Sequence, residues 1–254
     1  MRLTPVAAFE DNYIWLLADA SGDALAVDPG DAAPLEAALR RESLRLRVVL
    51  LTHHHADHIG GVATLAARYQ PIILAPQDAR IPLATRRVAD GEHIGLTAPA
   101  ATVEVMTVPG HTASHVAYRV GDLLFCGDTL FSLGCGRLFE GTPETMLASL
   151  DRIAGLPAAT RLCPAHEYTQ ANAAFALSVD ADNPALVARA RAVRALREQG
   201  RPSLPVTLAE ERAGNPFLRV DAPAVRAWCA RHGADSDRTA RFAALRRAKD
   251  GFRA

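Results

Sequence analysis

The stretch LTHHHADHIGG, Leu51 to Gly61, sets His53, His54, His55 and His58 around Asp57. Four of the chain's nine histidines therefore crowd into one short loop. Alternate residues of an extended segment point the same way, so His53 and His55 can address one point. Asp57 and His58 come a turn later and can address a neighbouring one. Imidazole and carboxylate at this spacing are metal-ligand chemistry.

Three further segments supply the same donors, each after a strand-like run: PGHTASH with His111, FCGDTLF with Asp128 and CPAHEYT with His166. Five imidazoles and two carboxylates exceed the four ligands of a closed tetrahedral site. They suit two divalent ions sharing a carboxylate, and Asp128 is the expected bridge. Without thiolates in the set, an open catalytic site is favoured, with zinc the first expectation and iron or manganese also accommodated. A lone histidine is usually a core or surface residue, so His93 and His232 are left out. The extended stretch turns His54 away from its neighbours, and it is not expected to ligate. His115 reads either as a partner of a ligand or as an ordinary strand residue.

These loops need strands to end where they begin. Leu44, Leu46 and Val48 alternate and merge into an apolar run to Leu51, as in a strand entering a buried sheet. DALAVDPG (Asp23 to Gly30) is a short strand stopped by Pro-Gly, and ATVEVMTVPG (Ala101 to Gly110) is another. HVAYRVGDLLFCGD reads as two strands about a Gly121-Asp122 turn. Thr142-Pro143 opens a helix with Met146, Leu147, Leu150 and Ile153 on one face and Gly155 as its stop.

Beyond residue 166 the texture becomes helical. Asn183-Pro184 starts one helix ending at Gly200, Asp221 starts a second, and a third runs from about Ser236 to Lys249. No strand is expected there. The reading is an α/β domain over residues 1–168 and a smaller helical one over 169–254.

Composition bounds the rest. At 49% hydrophobic and 22% charged, the chain is an ordinary globular protein. Lys+Arg and Asp+Glu balance at 28 each, so no global field recruits nucleic acid or an anionic membrane. The four cysteines form no CxxC pair, which argues against a disulfide framework or thiolate zinc. Glu10 and Asp11 interrupt what would be the apolar core of a signal peptide, and no run reaches membrane-span length. The expected compartment is the reducing cytoplasm, and the expected state a monomer. Lys249 is the sole lysine.

The motif His53-x-His55-x-Asp57-His58 resembles that of the metallo-β-lactamase superfamily. More narrowly, nearly the whole chain is similar to the hydroxyacylglutathione hydrolase, or glyoxalase II, family. DNYIWLL, GDTLFSLGCGRLFEGT, HEYT, NPFLR and LRRAKDGF carry that narrower likeness. It implies an αββα sandwich with a helical C-terminal domain. It implies one ion on His53, His55 and His111, a second on Asp57, His58 and His166, and Asp128 bridging. A metal-bridging hydroxide would attack a glutathione thioester, S-lactoylglutathione, releasing glutathione and a 2-hydroxy acid, the second step of methylglyoxal detoxification. Glutathione contacts are implied at Arg137, Tyr168, Arg246 and Lys249.

Three positions depart from the family pattern. Phe139 replaces a tyrosine at a substrate-binding position, Ala165 replaces a glycine, and Ser114 stands where glycine is common. If position 165 needs a positive φ, alanine strains it by roughly 1–2 kcal/mol. The competing readings are another hydrolase of the superfamily, a single-iron sulfur dioxygenase and a non-catalytic metal-binding module.

Overall fold

The apolar runs become strands whose ends carry the ligand loops. The computed structural model describes residues 1–234 and 236–253; Asp235 and Ala254 lie outside the described residues. By its contacts the chain divides into two compact units. One is Met1–Thr107 with Ser114–Gly127, the other Val108–Ala113 with Asp128–Ala254.

In the first unit, β1 (Arg2–Ala8), β2 (Asn12–Ala18), β3 (Asp23–Val27), β4 (Arg45–Leu50), β5 (Ile72–Ala75) and β6 (Arg86–Arg87) form one sheet in sequence order. β1 to β3 pair antiparallel, and β3 to β6 pair parallel. Every residue of β2 is buried, so it shows no alternation. The parallel crossovers run through α1 (Ala32–Arg41), α2 (Ala56–Ile59) and α3 (Val62–Tyr69). Asp31 caps α1 by accepting from Ala33 N. Leu35, Leu39, Val62 and Leu65 join Ile14, Leu16, Val49 and Ile73 in one apolar core.

The remaining strands of this unit, β7 (His93–Thr97), β8 (Ala100–Thr107), β9 (Val116–Val120) and β10 (Leu123–Gly127), form an antiparallel meander. Gly121, at φ 61°, turns β9 into β10 as expected. Buried Tyr118 on β9 joins the two layers. Its hydroxyl donates to Leu51 O at 2.9 Å and Leu74 O at 3.3 Å, at the ends of β4 and β5.

The second unit contains β11 (Leu130–Phe131) paired with β12 (Gly134–Cys135), then α4 (Pro143–Ala154), β13 (Arg161–Pro164), α5 (Thr169–Val179) and α6 (Pro184–Glu198). β14 (Val206–Thr207), α7 (Leu208–Gly214), α8 (Pro223–Arg231) and α9 (Arg238–Gly251) complete it. Thr142 and Thr145 form a capping box on α4, Pro143 is in its first turn, and the four expected apolar residues are buried. Asn183 caps α6.

The expectation of no strand beyond residue 166 is corrected by β14, which pairs antiparallel with β13 through Arg161↔Thr207 and Leu162↔Val206. Two residues are too few to show a period, so tertiary pairing alone defines it. Replacing Tyr118 with Phe removes the buried hydroxyl and leaves Leu51 O short of a donor. A loss of about 1–3 kcal/mol is expected, read as a lower urea midpoint with an unchanged m-value.

Candidate metal centre

In the first unit the ligand loop follows β4, and one carboxylate organises it. Asp28 accepts from Thr52 N at 2.8 Å and Thr52 Oγ1 at 2.7 Å, and it meets His58 Nδ1 at 3.0 Å. A carboxylate only accepts, so His58 Nδ1 carries the proton and Nε2 presents its lone pair. Thr52 spends its own proton on Asp28, so it accepts from His53 Nδ1 at 3.1 Å. His53 therefore also presents Nε2. Two buried imidazoles are set to the ligating tautomer by one aspartate, directly and through a threonine.

Asp28 holds this position at φ 51°, a left-handed conformation that costs a non-glycine residue about 1–3 kcal/mol. Close backbone approach makes the arrangement fit, since a Cβ on Gly30 would stand 1.8 Å from Asp57 O.

The donor atoms pair off. His53 Nε2 faces His55 Nδ1 at 3.0 Å, and His58 Nε2 faces Asp57 Oδ2 at 3.3 Å. Asn12 Nδ2 steadies Asp57 Oδ2 at 3.0 Å. Ligands about 2.0–2.2 Å from one ion at 90–110° stand roughly 3.0–3.4 Å apart, so these spacings match the edges of coordination shells.

The second unit holds the other donors. Segment 108–113 is pinned by Ser149 Oγ donating to Pro109 O at 2.7 Å and by Ala113 N donating to Glu140 at 2.8 Å. His111 Nδ1 lies 3.0 Å from Arg137 O, a carbonyl that only accepts, so His111 also presents Nε2. One oxygen, Asp128 Oδ2, stands 3.4 Å from His111 Nε2 and 3.4 Å from His166 Nε2. A carboxylate shared by two imidazoles is the arrangement a bridging ligand requires. Gly136 permits it, because a Cβ there would lie 1.9 Å from Asp128 O.

All seven expected ligands fall in His/Asp sets able to hold an ion. Neutral imidazoles plus carboxylates suit divalent metal, so the residues fit the group the motif implies.

The other singled-out histidines have different partners. His54 Nδ1 lies 3.5 Å from Asp78 Oδ2. His115 stacks on His53 with centroids 4.7 Å apart. His232 stacks on Trp228, and His93 is exposed on β7. Ser114 donates to Asp78 at 2.6 Å, so this departure gains a bond. Arg80 and Ser114 hold the Asp78 carboxyl well below the usual range. Ala165 is absent from the non-glycine residues at positive φ, so the strain considered for it does not arise.

The five expected substrate residues also lie in the second unit. Tyr168 stacks on His166 at 4.6 Å and 6°, and the exposed Phe139 ring meets His111 at 5.2 Å. Buried Arg246 donates to Cys135 O at 2.6 Å and Asp250 at 3.0 Å, and Arg137 meets Asp250 at 3.5 Å. Lys249 Nζ sits over the Phe175 and Phe252 rings at 5.9 and 5.8 Å. Burial first, then Arg246 and Arg137, pull its pKa below that of an ordinary lysine. Arg137, Arg246 and Lys249 thus gather about one carboxylate, Asp250.

Sequence reasoning missed Asp28, Thr52 and Asn12. The available signal was VDPG, an aspartate at a strand end like Asp128, but its hydrogen-bond partners lie 24 and 30 residues away.

Two family models match the chain. The metallo-β-lactamase superfamily covers residues 9–166 and the hydroxyacylglutathione hydrolase C-terminus covers 167–252. A hydroxyacylglutathione hydrolase of Xanthomonas campestris pv. campestris (strain B100) is 54% identical over 100% of both chains. One from Cupriavidus metallidurans is 50% identical, again over 100% of both. Among solved structures, ETHE1 from Myxococcus xanthus is 25% identical with a TM-score of 0.65, covering 87% of this chain and 89% of that one. A protein solved in a di-iron-bound form is 27% identical with a TM-score of 0.55, covering 65% and 92%.

Asp28→Ala frees both tautomers and removes the anchor of His58. Chelator competition is expected to show metal affinity weakened about 10- to 100-fold while far-UV circular dichroism is retained.

Proposed function

The chain belongs to the hydroxyacylglutathione hydrolase family of the metallo-β-lactamase superfamily, and from that premise we propose how its residues hydrolyse S-(2-hydroxyacyl)glutathione to glutathione and a 2-hydroxy acid. S-lactoylglutathione, from methylglyoxal detoxification, is the substrate, and lactate the acid. The fold is the αββα sandwich with a helical C-terminal segment. The observation that carries the site reading is Asp128 Oδ2 equidistant from two ligating imidazoles, with Arg137, Arg246 and Lys249 in the same unit.

In this reading His53, His55 and His111 would hold one divalent ion, and Asp57, His58 and His166 a second, with Asp128 available to both. Zinc, iron and manganese all suit these donors. When bound, such ions bring a water's pKa down to about 7 and polarise a carbonyl.

The chain's own residues do the rest. Asn12 fixes Asp57 so that its carboxylate orients the nucleophile. Arg137, Arg246 and Lys249 bind the glutathione carboxylates by charge-assisted bonds. Tyr168, stacked on His166, positions the tripeptide beside the reacting carbonyl. Phe139 offers a ring face without the family's hydroxyl. The leaving thiol has a pKa near ~8.5, so the thiolate departs without a dedicated general acid.

The proposal also assigns residues 1–168 to the metal-bearing part and 169–254 to the helical substrate-binding part. The meeting of the two matched segments at residues 166 and 167 supports this. A monomer in a reducing cytoplasm completes it, in keeping with four buried cysteines that form no disulfide among the described residues. Among the described residues no helix is long and apolar enough to cross a membrane.

Complete chelation is expected to abolish thioester hydrolysis, and about two equivalents of metal per chain to restore it. Activity in the metal-free protein would reject the mechanism, and restoration by one equivalent would favour the single-iron alternative.

Lys249→Ala is expected to raise KM for S-lactoylglutathione on the order of tenfold with metal content unchanged. Only the protonated amine binds a carboxylate, and its pKa is lowered. KM should therefore stay flat at neutral pH and climb at a lower pH than an ordinary lysine would dictate. Lys249→Arg should push that climb to higher pH; a profile identical in both proteins would refute the role.

A further inference from the structure

The second unit contains a buried polar chain that the reaction as described does not use. It starts beside His166. Glu167 accepts from Ser203 N at 2.7 Å, Ser203 Oγ at 2.5 Å and Thr169 Oγ1 at 2.8 Å. It ends at the turn between β11 and β12. There Glu211, fully buried, accepts from Ser132 Oγ at 2.7 Å, Leu133 N at 2.8 Å and Asn215 Nδ2 at 2.9 Å. Burial pushes the Glu211 carboxyl up, while these donors and Arg189 pull it down.

One side chain joins the two ends. Arg189, on α6, donates from Nη2 to Ser203 O at 2.8 Å and reaches Ser132 Oγ at 3.4 Å. The helix that carries it is itself fixed, because Asn183 at its N-cap donates to Ala213 O at 2.9 Å.

Each end carries groups of the proposed site. The Glu167 end continues into His166 and Tyr168. The Glu211 end continues into Cys135, whose carbonyl receives Arg246, and into Arg137, whose carbonyl receives His111. We propose that Arg189 is a positioning residue for the glutathione moiety, setting the distance between the Tyr168 segment and the loop that anchors Arg246 and Arg137. It touches no reacting atom. A lysine would keep a positive charge opposite Glu211 but lacks the planar fork. This rests on the thioesterase reading of the same site.

The test compares wild type, Arg189→Lys and Arg189→Ala as metal-loaded enzymes on two substrates. One is S-lactoylglutathione. The other is the lactoyl thioester of N-acetylcysteamine, which has the same acyl group and no carboxylates. The lysine variant is expected to raise KM for S-lactoylglutathione about three- to tenfold, with kcat and metal content as in wild type. Its kinetics on the N-acetylcysteamine thioester should be unchanged. Arg189→Ala should exaggerate the split, and if it fails to fold the lysine variant alone carries the test.

Equal losses on both substrates, or a lowered Tm with wild-type KM, would overturn the proposal, since a merely structural role gives those results. Failure of the thioesterase reading appears separately, as a wild-type enzyme inert on both thioesters, and removes the proposal with it.

Discussion

Three hydrogens converge on the Asp28 carboxylate, from Thr52 N, Thr52 Oγ1 and His58 Nδ1, and the metal chemistry depends on that convergence. An imidazole can ligate only through a nitrogen without a proton. In a fold, the hydrogen bond made by one ring nitrogen decides which nitrogen that is. Asp28 decides it for His58, and through Thr52 for His53. The main chain does the same for His111 with the carbonyl of Arg137. The strained backbone of Asp28 is tolerated because three bonds and the tight Pro29-Gly30 turn over-determine it.

The second unit solves a different problem with similar means. Arg137 on its loop and Arg246 and Lys249 on α9 place three cations near one another. Asp250 takes part of that charge from Arg246 and Arg137. Aromatic rings take part of it from Lys249 and Arg246. The loop backbone is secured separately, by Asn215 Nδ2 donating to Gly134 O while Glu211 receives Leu133 N. A buried carboxylate is costly to desolvate, and Glu211 is retained with every donor around it aligned.

The departures from the family pattern find local partners or unstrained backbone. Ser114 finds an acceptor in Asp78. Ala165 stays outside the left-handed region that would have penalised its Cβ. Phe139 keeps ring contact with His111 and loses only a hydroxyl, so its effect belongs to substrate affinity.

The sequence by itself supplied the candidate donors and the chemistry their side chains suit. The spacing of His53, His55, Asp57 and His58 is local, and so are the strand ends that present His111, Asp128 and His166. Helix caps at Thr142 and Asn183 were legible because a cap and its partner lie within three residues. Only the tertiary structure decided which nitrogen His53, His58 and His111 offer, that Asp78 stands next to His54, and how Arg189 ties two loops together. Those partners stand tens of residues apart, as Ser132 and Leu133 stand 79 and 78 residues from Glu211. Periodicity and capping report on neighbours along the chain, whereas a hydrogen bond across the fold exists only once both segments have been folded to within about 3 Å of each other.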